Sequence, residues 1–235
     1  MQSAVEHAMM TCDDDDRIIN WQSGAANISP FFDADGNMTT GVLESQAETF
    51  VYDSRNRLTQ AGTTTYTYDA EDRRIRKTES GITTTFVHDP HAQLSRLLQK
   101  TTGDTTTYYV YAAGQLLYEE TNGQITCYHF DSRGSTLALS DATGFVVNRI
   151  TYGTYGEIVA TTTATTTPFL YNGAYGVQTD ENGLLHMRAR YYSTELRRFI
   201  NADPIGFEGG MNWYAYAGRN PIVYIDPSGH VVETA

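Results

Sequence analysis

The chain has 235 residues and a formal net charge of −12, and apolar residues make up 40% of it. The negative charge argues against nucleic acid as a partner, because phosphates would repel it, and no apolar run is long enough to span a membrane as a helix. The 17 tyrosines, together with abundant threonine, indicate an all-β protein, since ring and branched side chains pack well on a pleated sheet.

The first segment, residues 1–30, is poorly defined. Its N-terminus lacks the basic region and apolar core of a secretory signal. The acidic run Asp13–Asp16 followed by Arg17 is similar to a degraded turn of a repeat, which predicts an open frame that begins inside a longer ancestral gene. A sheet cut at this point exposes an edge, and we expect self-association through that edge unless the N-terminal segment covers it.

Residues 31–168 contain a repeated unit, an aromatic residue and an aspartate followed by a turn, at an irregular interval of about 20 residues. The strand before the pair alternates, as in Thr65–Tyr68. The aspartate is expected to bond its own backbone two residues on and start a turn. Each unit therefore predicts a β-hairpin, and successive hairpins are expected to pair into one long, twisted antiparallel ribbon. Clear copies begin at Phe32-Asp33, Tyr52-Asp53 and Tyr68-Asp69, and the turns between hairpins are expected at Gly62, Gly81, Gly103 and Gly123.

The charged residues of this ribbon allow a functional and a structural interpretation. The aspartates could bind metal or act as acids, but their position at each turn favours a structural role. The arginines could form an anion site, but strand alternation favours a solvated face. The arginines in question are Arg55, Arg57, Arg73, Arg74 and Arg76. The histidines and the two cysteines show no metal-ligand spacing, so neither a metal nor a cofactor is expected.

The segment 169–229 is expected to form a compact, aromatic-rich unit, followed by a tail, residues 230–235. Leu184–Tyr192 is predicted to be a strand. Asn212 is a candidate N-cap for a short helical turn over Trp213–Ala217.

These residues resemble the YD-repeat, or RHS-repeat, family, which includes bacterial RHS polymorphic toxins, the C component of insecticidal Tc toxins and animal teneurins. The C-terminal unit is similar to the RHS-repeat-associated core. The stretches that carry this second resemblance are Tyr171–Gly173, Gly183–Tyr192, Leu196–Gly206, Gly209–Tyr216, Asn220–Pro221 and Asp226–Gly229. The resemblance implies a sheet that spirals into part of a hollow shell around an unfolded cargo polypeptide, with the core unit as a plug that closes one end.

In toxin members the resemblance also implies an intramolecular aspartic protease. Asp203 and Asp226 match the two Asp-Pro-x-Gly steps that carry its carboxylate pair, and Arg198 is a candidate to position or tune them. Two close carboxylates can share a proton, so that one acts as general base and the other as general acid. The chain departs from cleaving members, which usually have Leu, followed by the cut, where His230 stands, and only Val231–Ala235 lie beyond it.

Three functions stay open at this point. The first is a structural shell fragment that encloses or scaffolds cargo, with a cargo toxin or a further YD-repeat chain as partner. The second is a self-cleaving aspartic peptidase that releases a C-terminal toxin, and the third is a cell-surface adhesion or carbohydrate-binding module. The departure at His230 and the short tail favour the first, which is not an enzyme. The resemblance implies export or a cell-surface location.

Overall fold

The computed structural model describes residues 8–92, 94–164 and 167–234, and almost all of their regular structure is β. A three-stranded N-terminal sheet precedes a 14-stranded main sheet in which each strand pairs antiparallel with its chain neighbours. We call the main sheet, residues 31–161, the ribbon. The N-terminal strands are β1 Met9–Cys12, β2 Ile18–Ser23 and β3 Ala26–Ile28. The ribbon strands are β4 Phe31–Phe32, β5 Met38–Leu43, β6 Gln46–Tyr52, β7 Leu58–Ala61, β8 Thr64–Tyr68, β9 Arg74–Glu79, β10 Ile82–Asp89, β11 Arg96–Thr102, β12 Thr105–Ala112, β13 Gln115–Thr121, β14 Gln124–Phe130, β15 Thr136–Asp141, β16 Val146–Tyr152 and β17 Ile158–Thr161. The predicted antiparallel ribbon is therefore confirmed.

Six hairpin turns in the described part of the chain are built by an aspartate. Asp53 Oδ1 accepts the backbone N–H groups of Arg55 at 2.9 Å and Arg57 at 3.1 Å. Val51 pairs with Gln60 and Tyr52 pairs with Leu58, so the strand after the turn carries one extra residue between these partners. That extra residue is a β-bulge. The same pair of bonds, to the residues two and four positions on, is made by Asp13, Asp33, Asp69, Asp131 and Asp141. The structural role predicted for the repeat aspartates is confirmed at these turns, and it extends to Asp141, which lies in no predicted copy.

The turns between hairpins need positive φ angles, a backbone conformation that most residues avoid. At the turn between β13 and β14, Asn122 has φ 53° and Gly123 has φ 76°. Two successive positive φ angles match the right-handed twist of the flanking strands, and an Asn-Gly pair adopts them at low cost. Gly62, Gly81 and Gly103 also have positive φ, as the predicted turns require.

We call the C-terminal segment, residues 169–229, the plug, and its structure is irregular. Its four-stranded sheet pairs in chain order. The strands are β18 Gln178–Thr179, β19 Leu184–Met187, β20 Arg190–Ser193 and β21 Arg198–Phe199, and a separate pair joins β22 Tyr224–Ile225 to β23 Glu233–Thr234. Among the described residues, the helical content is three 3₁₀ turns at Gly173–Tyr175, Gly206–Gly209 and Ala217–Arg219. In the part of the chain that the structure describes, no helix is both long and apolar enough to cross a membrane.

Two sequence predictions within the plug are wrong. The single strand over Leu184–Tyr192 is a hairpin, because Arg188 adopts φ 57° and reverses the chain between β19 and β20. The helix over Trp213–Ala217 is a tight turn in which the Asn212 side chain accepts the N–H of Tyr214 at 2.9 Å. Asn212 therefore caps a turn, and the 3₁₀ turn begins only at Ala217.

The plug packs on one face of the ribbon through apolar side chains. Phe169 is fully buried among ribbon side chains, and its ring meets that of Tyr109 edge-to-face, with centroids 5.0 Å apart. Tyr191 and Leu196 of the plug share a second core with ribbon residues such as Phe50. Burial of each large side chain contributes about 1.5–3 kcal/mol, so these contacts hold the two units together.

A buried ion pair also joins the units. Arg74, on ribbon strand β9, donates to Asp180 Oδ2 at 2.6 Å and to Gln178 Oε1 at 2.8 Å, both in the plug. Its side chain is 1% exposed and that of Asp180 is 2% exposed. The interpretation of the ribbon arginines as one solvated face is therefore wrong for Arg74. Strand alternation predicted a solvated Arg74 because it considers only the strand itself. In the structure the plug covers this position.

His186 lies buried at the same junction. Its ring lies between those of Tyr68 and Tyr191, with centroids at 6.5 and 5.1 Å, and its Nε2 has no hydrogen-bond partner within the described residues. Burial, with Arg74 and Arg188 nearby, lowers the pKa of His186 well below 6.5. Below about pH 6.5 the unfolded chain therefore binds a proton here that the folded chain excludes. Acidification should favour unfolding through this residue.

We expect His186→Phe to flatten this pH dependence. Phenylalanine keeps the ring contacts and cannot titrate, so the melting temperature should fall less between about pH 7.5 and pH 5.5 than in the wild type. Thermal unfolding followed by circular dichroism measures it. His129→Phe, at an exposed position where the ring Nε2 lies 2.8 Å from the Ser140 hydroxyl oxygen, is the comparison variant. Identical slopes in wild type and His186→Phe would contradict the assignment.

Candidate functional site

Asp203 and Asp226 come together around one buried arginine. Nη2 of Arg190 lies 2.9 Å from Asp203 Oδ2 and 2.9 Å from Asp226 Oδ2, so the two oxygens cannot be farther apart than twice that distance. The three side chains are 2%, 4% and 1% exposed, respectively. Folding therefore unites two Asp-Pro steps that are 23 positions apart in the sequence.

Both carboxylates are held by turns of the kind that the ribbon uses. Asp203 Oδ1 accepts the N–H of Ile205 at 3.1 Å, and Asp226 Oδ1 accepts the N–H of His230 at 3.0 Å. In the ribbon turn at Asp53, the second oxygen pairs with the arginine four positions on. In the plug the second oxygen of each aspartate is left for Arg190. The site is thus two repeat-type turns that share one cation.

Arg190 is fixed on every nitrogen of its guanidinium. Nε donates to the carbonyl oxygen of Gly229, and Nη1 donates to that of Trp213 at 3.0 Å. The guanidinium carbon lies 3.6 Å from the centroid of the Phe199 ring. The arginine therefore joins β20 to both Asp-Pro segments, and its position is set by the plug core.

Burial dominates the electrostatics of the pair. It raises the pKa of Asp226 above its usual range, and the charge of Asp203 adds to the shift, while Arg190 and the hydroxyl of Ser228 oppose it. Burial also lowers the pKa of Arg190, against the pull of both carboxylates. A carboxyl group with a raised pKa beside a second carboxylate is the arrangement that general acid–base chemistry needs.

The structure does not bring Arg198 to this pair. Its Nη1 donates to the carbonyl oxygen of Asp16 at 2.5 Å, and its guanidinium stacks over the Tyr214 ring, 5.8 Å from the centroid. Arg198 therefore joins the plug to the N-terminal sheet, and the arginine between the aspartates is Arg190. One signal could have found it: Arg190 stands in a run of apolar and aromatic residues, where a buried charge requires a partner of opposite sign.

A cavity of about 660 Å³ lies between the ribbon turns and the plug. Asp203 and His230 line it on the plug side, and Arg55, Arg57 and Arg73 line it on the ribbon side. The ribbon arginines are paired there, as in the contacts of Arg57 with Asp53 and Asp72. The cavity gives solvent a route to Asp203, whereas Asp226 does not line it. Across residues 8–92, 94–164 and 167–234, no group of three or more acidic, histidine or cysteine side chains could hold a metal ion.

Comparison with known proteins gives consistent matches. Residues 2–222 match the teneurin YD-shell family model. The chain is 31% identical over 230 residues to the tRNA nuclease WapA of Bacillus subtilis (strain 168) and 27% identical over 257 residues to the double-stranded DNA deaminase toxin A of Burkholderia cenocepacia (strain H111). These alignments cover 92% and 91% of the chain but only 10% and 17% of the relatives.

Solved structures share the fold. The chain superposes on a component of the Photorhabdus luminescens Tc holotoxin pore with a TM-score of 0.71 and 18% identity, over 97% of this chain and 13% of that one. It superposes on the TcdB2-TccC3 crystal structure with a TM-score of 0.68 and 19% identity, over 94% of this chain and 13% of that one. The match spans ribbon and plug together.

Proposed function

Because this chain belongs to the teneurin YD-shell family, we propose that it forms the closing segment of a YD-repeat shell in a toxin-delivery protein, where it helps to enclose a cargo polypeptide. The observation that carries the proposal is the plug, which is held on one face of the ribbon by apolar cores and by the buried Arg74–Asp180 pair. A ribbon whose one face is covered by the plug would form part of the shell wall, with the plug closing its end. The remaining wall would come from further YD-repeat strands.

A chimera tests this function. The chain would replace the matching 230 residues of the Bacillus subtilis relative, with an unfolded polypeptide joined after it. We expect the polypeptide to resist protease in the chimera, and to become sensitive with Arg74→Met, which loosens the plug. Arg73→Met, next in sequence and at the surface, is the matched control. A polypeptide that is digested equally fast in all three proteins would contradict the shell function.

Partners and location extend this proposal. We propose that a cargo polypeptide or further YD-repeat strands contact the chain, and that the assembled protein is exported or lies at the cell surface. The sequence predicts self-association through the N-terminal edge, and the structure adds a second edge strand, β17, where all four residues are exposed, including Val159 at 66%. A lysine on an edge strand opposes pairing with another sheet.

We therefore expect the wild-type chain to self-associate in light scattering, and Val159→Lys to be a monomer. Val147→Lys, on the neighbouring strand β16, should still associate. A monomeric wild type would contradict association through this edge.

Self-cleavage is a second candidate function, favoured by the carboxylate pair around Arg190. Water from the cavity would attack the carbonyl carbon of His230, with Asp203 accepting its proton. Asp226 would donate a proton to the nitrogen of Val231 as the bond between the two residues breaks. Arg190 would hold both carboxylates in place, and the raised pKa of Asp226 suits it to the acid role.

Intact-mass spectrometry of the purified chain tests this activity. We expect the wild type to lose its last five residues over time, and Asp226→Asn to stay intact, because an amide cannot donate the proton. Asp53→Asn is the matched control, since Asp53 makes the same turn bonds without a second carboxylate. A wild type that remains intact would rule out self-cleavage.

A further inference from the structure

We infer that strand β22, Tyr224–Ile225, is a docking template that holds the polypeptide after the Asp226 turn by its backbone alone, whatever side chains follow. The inference rests on the proposed self-cleavage, because it defines how the substrate segment is presented to the aspartate pair. Three sets of contacts, upstream of, at and downstream of the His230–Val231 bond, support it.

Upstream, the turn after Asp226 is pressed against the β19–β20 hairpin. The carbonyl oxygen of Ser228 accepts the N–H of Ala189 at 3.2 Å, and Arg190 bonds the carbonyl of Gly229. A Cβ atom on Gly229 would lie 2.4 Å from the carbonyl oxygen of Met187, and Gly229 has φ +70°. Only glycine allows the backbone at position 229 to lie this close to Met187, so the position of the chain before His230 is fixed.

At the bond itself, the amide groups are held by the same turn. The N–H of His230 donates to Asp226 Oδ1 at 3.0 Å, and the N–H of Val231 donates to the hydroxyl oxygen of Ser228 at 3.3 Å. That hydroxyl in turn donates to Asp226 Oδ1 at 3.1 Å. The nitrogen that would leave is thus joined to Asp226 through Ser228.

Downstream, the chain returns as a strand. Glu233 pairs with Ile225, and Thr234 pairs with Tyr224, in an antiparallel ladder. Ile225 is 1% exposed, so the template is anchored in the plug core, and Asp226 follows it directly. The side chains of Glu233 and Thr234 are exposed, so main-chain bonds carry the pairing, and Glu233 adds an electrostatic attraction to Arg188.

This arrangement defines the class of substrate segment. Any polypeptide that can extend along β22 would dock, because main-chain hydrogen bonds supply the contact, as in strand addition to a sheet edge. Proline would not dock, since it lacks the N–H group and its ring restricts the backbone. Fixing the segment on both sides restricts the motion of the bond between them, and such positioning increases the rate of a reaction.

Two double variants of the full chain separate backbone pairing from side-chain contact. Glu233→Pro with Thr234→Pro removes the ladder, and Glu233→Ala with Thr234→Ala keeps the backbone and removes the side chains. Amide hydrogen exchange by NMR at Ile225 reports docking, since the N–H of Tyr224 donates to the carbonyl oxygen of Asn220 instead, and intact mass reports cleavage. We expect the alanine variant to match the wild type in both, and the proline variant to lose protection and cleave about tenfold more slowly.

Each result decides between distinct ideas. Equal protection in the proline variant and the wild type would overturn the template. Loss of protection in the alanine variant would also overturn the template, because the side chains would then carry the contact. Lost protection with an unchanged cleavage rate would overturn its positioning role. Normal protection in a wild type that never cleaves would overturn the proposed reaction and support docking alone.

Discussion

Arg190→Met is expected to lower the free energy of unfolding by about 3–5 kcal/mol, the range for removal of one partner of a buried ion pair. The substitution leaves Asp203 and Asp226 buried beside each other without a cation, and it removes the donors to Gly229 and Trp213. Methionine keeps the apolar stem of the arginine but not the guanidinium that stacks on the Phe199 ring. Urea unfolding followed by tyrosine and tryptophan fluorescence measures the change.

Arg198→Met is the matched control for this prediction. Arg198 lies on the neighbouring strand and donates to one carbonyl group, so its loss should cost about 1 kcal/mol. Replacing Asp203 and Asp226 by Asn in the Arg190→Met background should restore part of the stability, because the two buried charges are then gone. Equal losses for Arg190→Met and Arg198→Met would mean that the aspartates do not depend on Arg190.

Arg74→Met is expected to destabilise the junction between ribbon and plug by a similar amount, about 3–5 kcal/mol. Asp180 would lose its principal partner while 2% exposed, and Lys77, 3.6 Å from its Oδ1, would compensate only in part. The contacts of Arg74 with Gln178 and the Tyr191 hydroxyl group would be lost as well. Hydrogen exchange should show that the plug becomes less protected before the ribbon does.

Arg73→Met provides the comparison at the next position in the chain. Arg73 pairs with Asp69 and Glu71 at the surface of a ribbon turn, where solvent screens the charges, so little change is expected. A large loss for Arg73→Met, or a small one for Arg74→Met, would contradict the assignment of the junction to the buried pair.

The repeat architecture could be predicted from the sequence because its determinants are local. The turn at Asp53 depends on bonds to residues two and four positions on, and the turn at Asn122-Gly123 depends on two residues that tolerate positive φ. Alternation of side chains then fixes which face of each strand is apolar. The resemblance of the plug to the RHS-repeat-associated core likewise depends on short sequence motifs, which can be recognised without a structure.

The tertiary structure decided the positions where distant segments meet. Arg74 and Asp180 are 106 positions apart, so the alternation of side chains along β9 cannot predict that the plug covers Arg74. Arg190, rather than Arg198, holds Asp203 and Asp226, because β20 turns inward between the two Asp-Pro segments while Arg198 reaches the N-terminal sheet. The sequence by itself determined the hairpins and identified the two aspartates, since these follow from local bonding and motif. Packing of the plug against the ribbon determined which charges are buried and which arginine joins them.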